Sequence, residues 1–185
     1  MKNPKLANRY AKALFDFAKE KNEIEAVNSD LASIRSTLNE NSELRAILNS
    51  PVIAPNNKHT VFSKIFESAI SKTSFVFLDV IIRKKREPAL DSICDEFQKL
   101  YNEFHNIKVV TLTTAQEISD ELVEEIKKMI AEQTHHSIII KQVIQPEIIG
   151  GIMLKMDDFY FDASIMSKIN KLKQEFSHNI YQINF

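Results

Sequence analysis

Glycine is nearly missing from this 185-residue chain: it occurs twice, at Gly150 and Gly151, side by side. A phosphate-binding loop needs several spaced glycines leading into a helix, often followed by Lys and Ser or Thr. Here the pair leads into the apolar run "IMLKM", which reads as a strand, so the pattern speaks against a nucleotide site. There is one cysteine, Cys94, which excludes an internal disulfide and a thiolate-rich metal site and agrees with a reducing compartment. No apolar run approaches the roughly 20 residues that span a bilayer. The opening "MKNPKLANRY" lacks the apolar core of a signal peptide, so a soluble, cytoplasmic protein is expected. Neither sign of charge dominates: 24 basic and 25 acidic residues leave a net charge of −1, without the basic excess of a nucleic-acid binder.

What is present falls into two parts with different periods. Up to about residue 105 the apolar residues recur at helical spacing. Ile24, Val27, Leu31, Ile34 and Leu38 share one face, and Leu90, Ile93, Phe97, Leu100 and Phe104 share another. Val61, Phe62, Ile65, Phe66, Ala69 and Ile70 predict a helix with a broad apolar face. A short helix over Leu44, Ile47 and Leu48 should stop at Pro51, with Asn56 or Asn57 capping the next one. Pro88 sits where a further helix can start. The pattern predicts an all-α bundle of about six helices over residues 1–106.

After residue 106 the period changes. "IKVVTLTTA" and "SIIIKQVI" read as strands, "IMLKM" as a third, and "FYF" as a continuation of the sheet beyond a turn at Asp157 and Asp158. Ser119 is placed to cap a helix bearing Leu122, Val123, Ile126, Met129 and Ile130. A last helix carries Ile165, Ile169, Leu172 and Phe176, with Asp162 expected as its cap. Residues 107–185 therefore predict a small β-α-β-β-α domain, and the chain as a whole is α+β. The glycine pair is expected to shape a hairpin between the second and third strands, with positive φ or a close backbone approach.

Candidate catalytic and metal-binding groups do not converge. His135 and His136 are adjacent and suit an exposed helix end rather than a metal site. Asp157, Asp158 and Asp162 suit a turn and a cap better than a pair of catalytic carboxylates. "RKKRE" at 83–87 ends an apolar helix, where the dipole favours cations. Cys94 falls on the apolar side of its helix. No catalytic residue, cofactor or metal site is expected.

Two helices are too apolar for one core. "LANRYAKALFDFA" carries one stripe of Leu6, Tyr10, Ala13, Leu14 and Phe17 and another of Ala7, Ala11, Phe15 and Ala18. "SFVFLDVII" (74–82) has a single charge in nine residues. Both helices are central in the bundle, or they flank a groove for an amphipathic partner helix; periodicity leaves the choice open.

The ordered set "RYAKALFDFA", "SPVIAPNNKHTVFSKIF", "KREPALDSICDEFQKLY", "VVTLTTA" and "PEIIGGIMLKMDDFYFDASI" resembles the delta subunits of bacterial F-type ATP synthase. These are homologous to the mitochondrial oligomycin-sensitivity-conferring protein. The resemblance runs from about Pro4 to Phe176 and implies a non-catalytic stator subunit. It also implies an amino-terminal six-helix bundle (1–106) that holds the amino-terminal helix of an alpha subunit between its first and fifth helices. Tyr10, Ala13 and Leu14 would form one wall of that groove and Val76 and Val80 the other. The carboxy-terminal domain (107–185) would hold the end of the b-subunit peripheral stalk. One copy per complex is implied, without direct membrane insertion, at the cytoplasmic face of the membrane. The chain departs from the family at Met156-Asp157-Asp158, in place of a Gly-Asp turn, and at Ala163, in place of a common glycine. A helical adaptor for an unrelated partner is the competing reading.

Overall fold

The computed structural model describes residues 4–178 and divides the chain into two compact units, Met1–Phe104 and His105–Phe185. The first unit is helical: α1 (Pro4–Glu20), α2 (Ile24–Glu40), α3 (Ser42–Asn49), α4 (Pro55–Phe66), α5 (Lys72–Arg83) and α6 (Leu90–Phe104). A short 3-10 turn, Glu87–Ala89, precedes α6 and contains Pro88. The α2 stripe Ile24, Val27, Leu31, Ile34 and Leu38 is buried throughout, as are Leu90, Ile93 and Phe97 of α6. From α1 the small stripe Ala7, Ala11 and Ala18 enters the core, with Phe15 edge-on to Phe97 at 5.7 Å. Alanines let α1 lie close along α6, against which it packs most extensively.

Caps and turns follow the sequence only in part. Ser71 accepts the Ser74 N–H at the start of α5, and its own N–H donates to Asp30 of α2 at 2.9 Å. The start of α4 differs from expectation. Ala54 occupies the cap position and Pro55 the first turn, so Asn56 and Asn57 lie inside the helix. Proline sets φ for a first turn whose N–H needs no partner, and that preference outweighs an asparagine cap. The same helix ends at Phe66, short of the predicted face, so Ala69 lies beyond it; Ala69 and, within the helix, Ile65 are exposed.

The second unit contains β1 (Ile107–Thr114), α7 (Asp120–Thr134), β2 (Ser137–Ile144), β3 (Ile152–Met156), β4 (Phe159–Asp162) and α8 (Ile165–His178). The "FYF" segment is thus a fourth strand in its own right. Sheet order is β2-β1-β3-β4, with β1 and β2 parallel and the other pairs antiparallel. Crossing between parallel strands requires α7, which Ser119 caps as expected. Val110 and Leu112 of β1, Ile138 of β2 and Ile126 of α7 form the buried centre.

The expected hairpin between β2 and β3 does not exist, because β3 pairs with β1 rather than β2. The glycines instead serve a close crossing. Gly151 has φ +80, and a Cβ there would run into the carbonyl oxygen of Ala163. The Gly150 carbonyl accepts the Ile165 N–H at 2.9 Å. The entrance to β3 and the β4–α8 connection therefore lie backbone against backbone, which only a residue without a side chain allows at position 151. Asp162 is not the helix cap either. It ends β4 and accepts the Ser164 N–H at 2.8 Å, and Ser164 in turn caps α8 by accepting the Ser167 N–H at 3.1 Å. These hydrogen bonds from Ser164 hold Asp162 below the usual carboxylate range.

Candidate functional site

The α1–α5 cleft is built by what each helix uses for its core. Since α1 packs along α6, and α5 packs on α4 and α2, the facing sides of α1 and α5 are left uncovered. An apolar cleft of about 350 Å³ lies there, lined by Tyr10, Ala13, Leu14 and Phe17 from α1 and by Thr73, Val76, Phe77 and Val80 from α5. All five residues expected as groove walls line this one cleft; Phe17, named in the same α1 stripe but not as a wall, joins them, and Thr73 and Phe77 were not singled out. Phe17 and Phe77 carried a signal, since each lies one turn from a named residue on the same face.

The five are not equivalent. Val76 and Val80 are 50% and 40% exposed, while Leu14 is 3% exposed and belongs to the core as well as to the cleft floor. Ala13 is exposed and Tyr10 half-buried. One end of the cleft is tied shut: the Thr73 hydroxyl donates to the Glu23 carboxylate at 2.6 Å, joining the start of α5 to the turn after α1. The amino-terminal half of α1 therefore lies toward the carboxy-terminal end of α5. Behind α5, Asp79 is fixed between Arg83 (2.8 Å) and the His59 imidazole (3.4 Å).

Nothing in this surface is equipped for chemistry. Its lining contains two hydroxyls and no charged group. Cys94 is buried, and that burial pushes its thiol up to about 12, far from a reactive thiolate. His135 sits in the left-handed position that ends α7 and is exposed as expected, while His136 beside it is half-buried. Among the described residues no three His, Cys, Asp or Glu side chains group as a metal site.

The second unit has an apolar hollow of its own that sequence reading missed. About 530 Å³ in volume, it is lined mainly by Val110, Met129, Ile130, Leu154, Met156, Phe159 and Phe161. The strand register puts Val110, Met156 and Phe159 side by side, with Leu154 beside Phe161. Met129, Phe159 and Phe161 are exposed. The alternation of Phe159 and Phe161 was its only local trace.

The family model of the ATP synthase delta (OSCP) subunit matches residues 6–176. The chain belongs to this family. It is 33% identical over 180 residues to the ATP synthase subunit delta of Cytophaga hutchinsonii, covering 97% of this chain and 98% of the relative. The corresponding protein of Symbiobacterium thermophilum is 30% identical over 174 residues, 94% of each chain. The fold matches a chain in the cryo-EM structure of the Toxoplasma gondii mitochondrial ATP synthase hexamer with a TM-score of 0.75, at 23% identity over 93% of this chain and 97% of that one. As a delta (OSCP) subunit it is a non-catalytic stator part of the rotary F-type ATP synthase, linking the catalytic head to the peripheral stalk. No helix among the described residues is long and apolar enough to cross a membrane.

Proposed function

We propose that the two units divide the stator's work. The helical unit takes the amino-terminal helix of an alpha subunit into the α1–α5 cleft, and the second unit holds the carboxy-terminal end of the b-subunit stalk at the cytoplasmic face of the membrane, with one copy in each complex. The observation that supports the first contact is the convergence of Tyr10, Ala13, Leu14, Val76 and Val80 on one uncharged apolar cleft. An amphipathic helix laid there covers valines that the bundle leaves half exposed. For the second contact the support is the hollow between α7 and β4, where three large apolar side chains stand exposed.

The mechanical role follows from bivalency. Torque on the head acts on two contacts held by one chain, and if either opens, the other keeps the partner at high effective concentration so that it re-forms. Charge placed in the cleft tests the reading. Ala13→Asp and Val80→Asp should weaken binding of an alpha-subunit amino-terminal peptide by at least ~2 kcal/mol, the size of an interface hot spot. Unfolding of each free variant should change less, because both positions are partly solvated in the free protein. Equal losses of binding and stability would assign the residues to the core and remove the cleft from the mechanism. Leu14 is unsuitable for this test because its burial couples the two readouts.

A further inference from the structure

The cluster "RKKRE" at the end of α5 is larger than a helix dipole requires, and its charges are used unequally. Both outer members already have partners: Arg83 pairs with Asp79 one turn back on the surface of α5, and Glu87 turns inward to Lys58 at 3.0 Å. The middle three, Lys84, Lys85 and Arg86, are exposed, and among the described residues none has a side-chain ion pair. Backbone geometry gathers them. The Lys85 and Arg86 N–H groups donate to the Ile82 and Ile81 carbonyls, both at 3.0 Å, closing the helix end around Lys85 at φ 55. A position that favours glycine or asparagine thus carries a lysine.

The cluster adjoins the cleft. Lys84 keeps helical backbone (φ −82, ψ 0) and follows Val80 by four residues, so it lies one turn beyond Val80 on the same side. This is the end away from the Thr73–Glu23 tie. Lys5 and Arg9 on the first turns of α1 are also exposed, so further positive charge lies toward this end of the helical pair. Resting on the reading that the cleft takes an alpha-subunit helix, we propose that Lys84, Lys85 and Arg86 bind acidic side chains on the end of that helix lying over Tyr10 and Val80, and so fix its direction. The apolar floor is uncharged and its lining nearly all apolar, so it accepts a helix in either sense. At the other mouth Lys21, over the Phe17 ring at 4.4 Å, is offset in sequence by Glu20 and Glu23, and the unbroken run of three cations at this end supplies the discrimination.

The test uses the full chain and a fluorescently labelled synthetic peptide of the alpha-subunit amino terminus from the same organism. A second peptide has every Asp and Glu changed to Asn and Gln. At about 0.1 M salt, Lys84→Gln/Lys85→Gln/Arg86→Gln should bind the native peptide about five- to tenfold more weakly than the unaltered chain, and at about 1 M salt the difference should vanish. The amide peptide should not distinguish the two proteins. Charge reversal to Glu at all three positions, paired with a peptide whose acidic residues are Lys, should restore binding. Unchanged affinity in the triple variant, alongside loss in Ala13→Asp, overturns the inference and leaves the cleft reading standing. Failure of the native peptide to bind the unaltered chain overturns both. Loss of binding to vesicles containing anionic phospholipid, with peptide affinity unchanged, assigns the cluster to a lipid surface and likewise overturns the proposal.

Discussion

Replacing Gly151 by alanine should damage the second unit far more than the same change next door at Gly150. At 151 the backbone is left-handed (φ +80), which costs an L-residue roughly 1–2 kcal/mol. The added methyl would also overlap the Ala163 carbonyl oxygen and stand 3.1 Å from the Ser164 Cα. Those are backbone atoms of the β4–α8 connection, tied by the Ile165 N–H to the Gly150 carbonyl and by the Ala163 N–H to the Ile152 carbonyl at 3.0 Å. Relief requires the connection to move, adding about 1–3 kcal/mol of overpacking. The total is about 2–5 kcal/mol, a large share of the ~4–11 kcal/mol expected for a domain of this size. At Gly150 a Cβ would meet the Ile165 Cδ1 at 2.8 Å, but that is the tip of a side chain that can rotate, and φ is unexceptional. Its alanine variant should lose less than about 1 kcal/mol. Native-state hydrogen exchange resolved by segment is the suitable assay, because it separates residues 107–178 from the helical unit. Gly151→Ala should lower protection in β1, β3 and β4 by about 2–5 kcal/mol (roughly 30- to 5000-fold) and leave α2 and α6 unchanged. Equal effects from the two variants, or a loss below ~0.5 kcal/mol at 151, would refute the close-crossing argument.

Lys58 and Glu87, with side chains 6% and 2% exposed, form a buried pair, and Lys58 also donates to the Leu48 carbonyl at 2.6 Å. Lys58→Met alone should therefore cost about 3–5 kcal/mol in urea unfolding, and Lys58→Met/Glu87→Leu less than that; a double variant worse than the single would refute the uncompensated-charge account. Cys94, its thiol raised from 9.0 to about 12 by burial, should react with an aromatic disulfide reagent at pH 8 only after unfolding. The same shift has a sign in stability: the folded thiol keeps its proton where the unfolded one loses it, so the stabilisation is full below pH 9 and lost as pH rises toward 12. Cys94→Ala should flatten the alkaline limb of the urea midpoint against pH.

Local physics wrote much of this protein into its sequence. Helical period placed the α2 core stripe and the first three members of the α6 stripe, because a residue's face on a helix depends only on its neighbours three and four away, whereas Leu100 is only partly buried and Phe104 exposed where α6 ends. Ser119 was legible as a cap for the same reason: a short hydroxyl before a run with two acids in the first turn needs no distant partner. The excess of apolar surface on α1 and α5 was visible too, but not its division. Only packing against α6 decided that Ala7, Ala11 and Ala18 turn inward while Ala13 stays out, and that Leu14 serves both core and cleft. Strand order was beyond reach, since β3 and β2 follow one another in sequence yet lie on opposite sides of β1. Backbone pairing carries no side-chain code that names the partner. Nothing in the sequence sets Lys58 and Glu87 apart from other charges, one following two asparagines and one closing a basic run. Twenty-nine residues apart, they meet only because the bundle folds α4 against the turn before α6, and burial then makes each indispensable to the other.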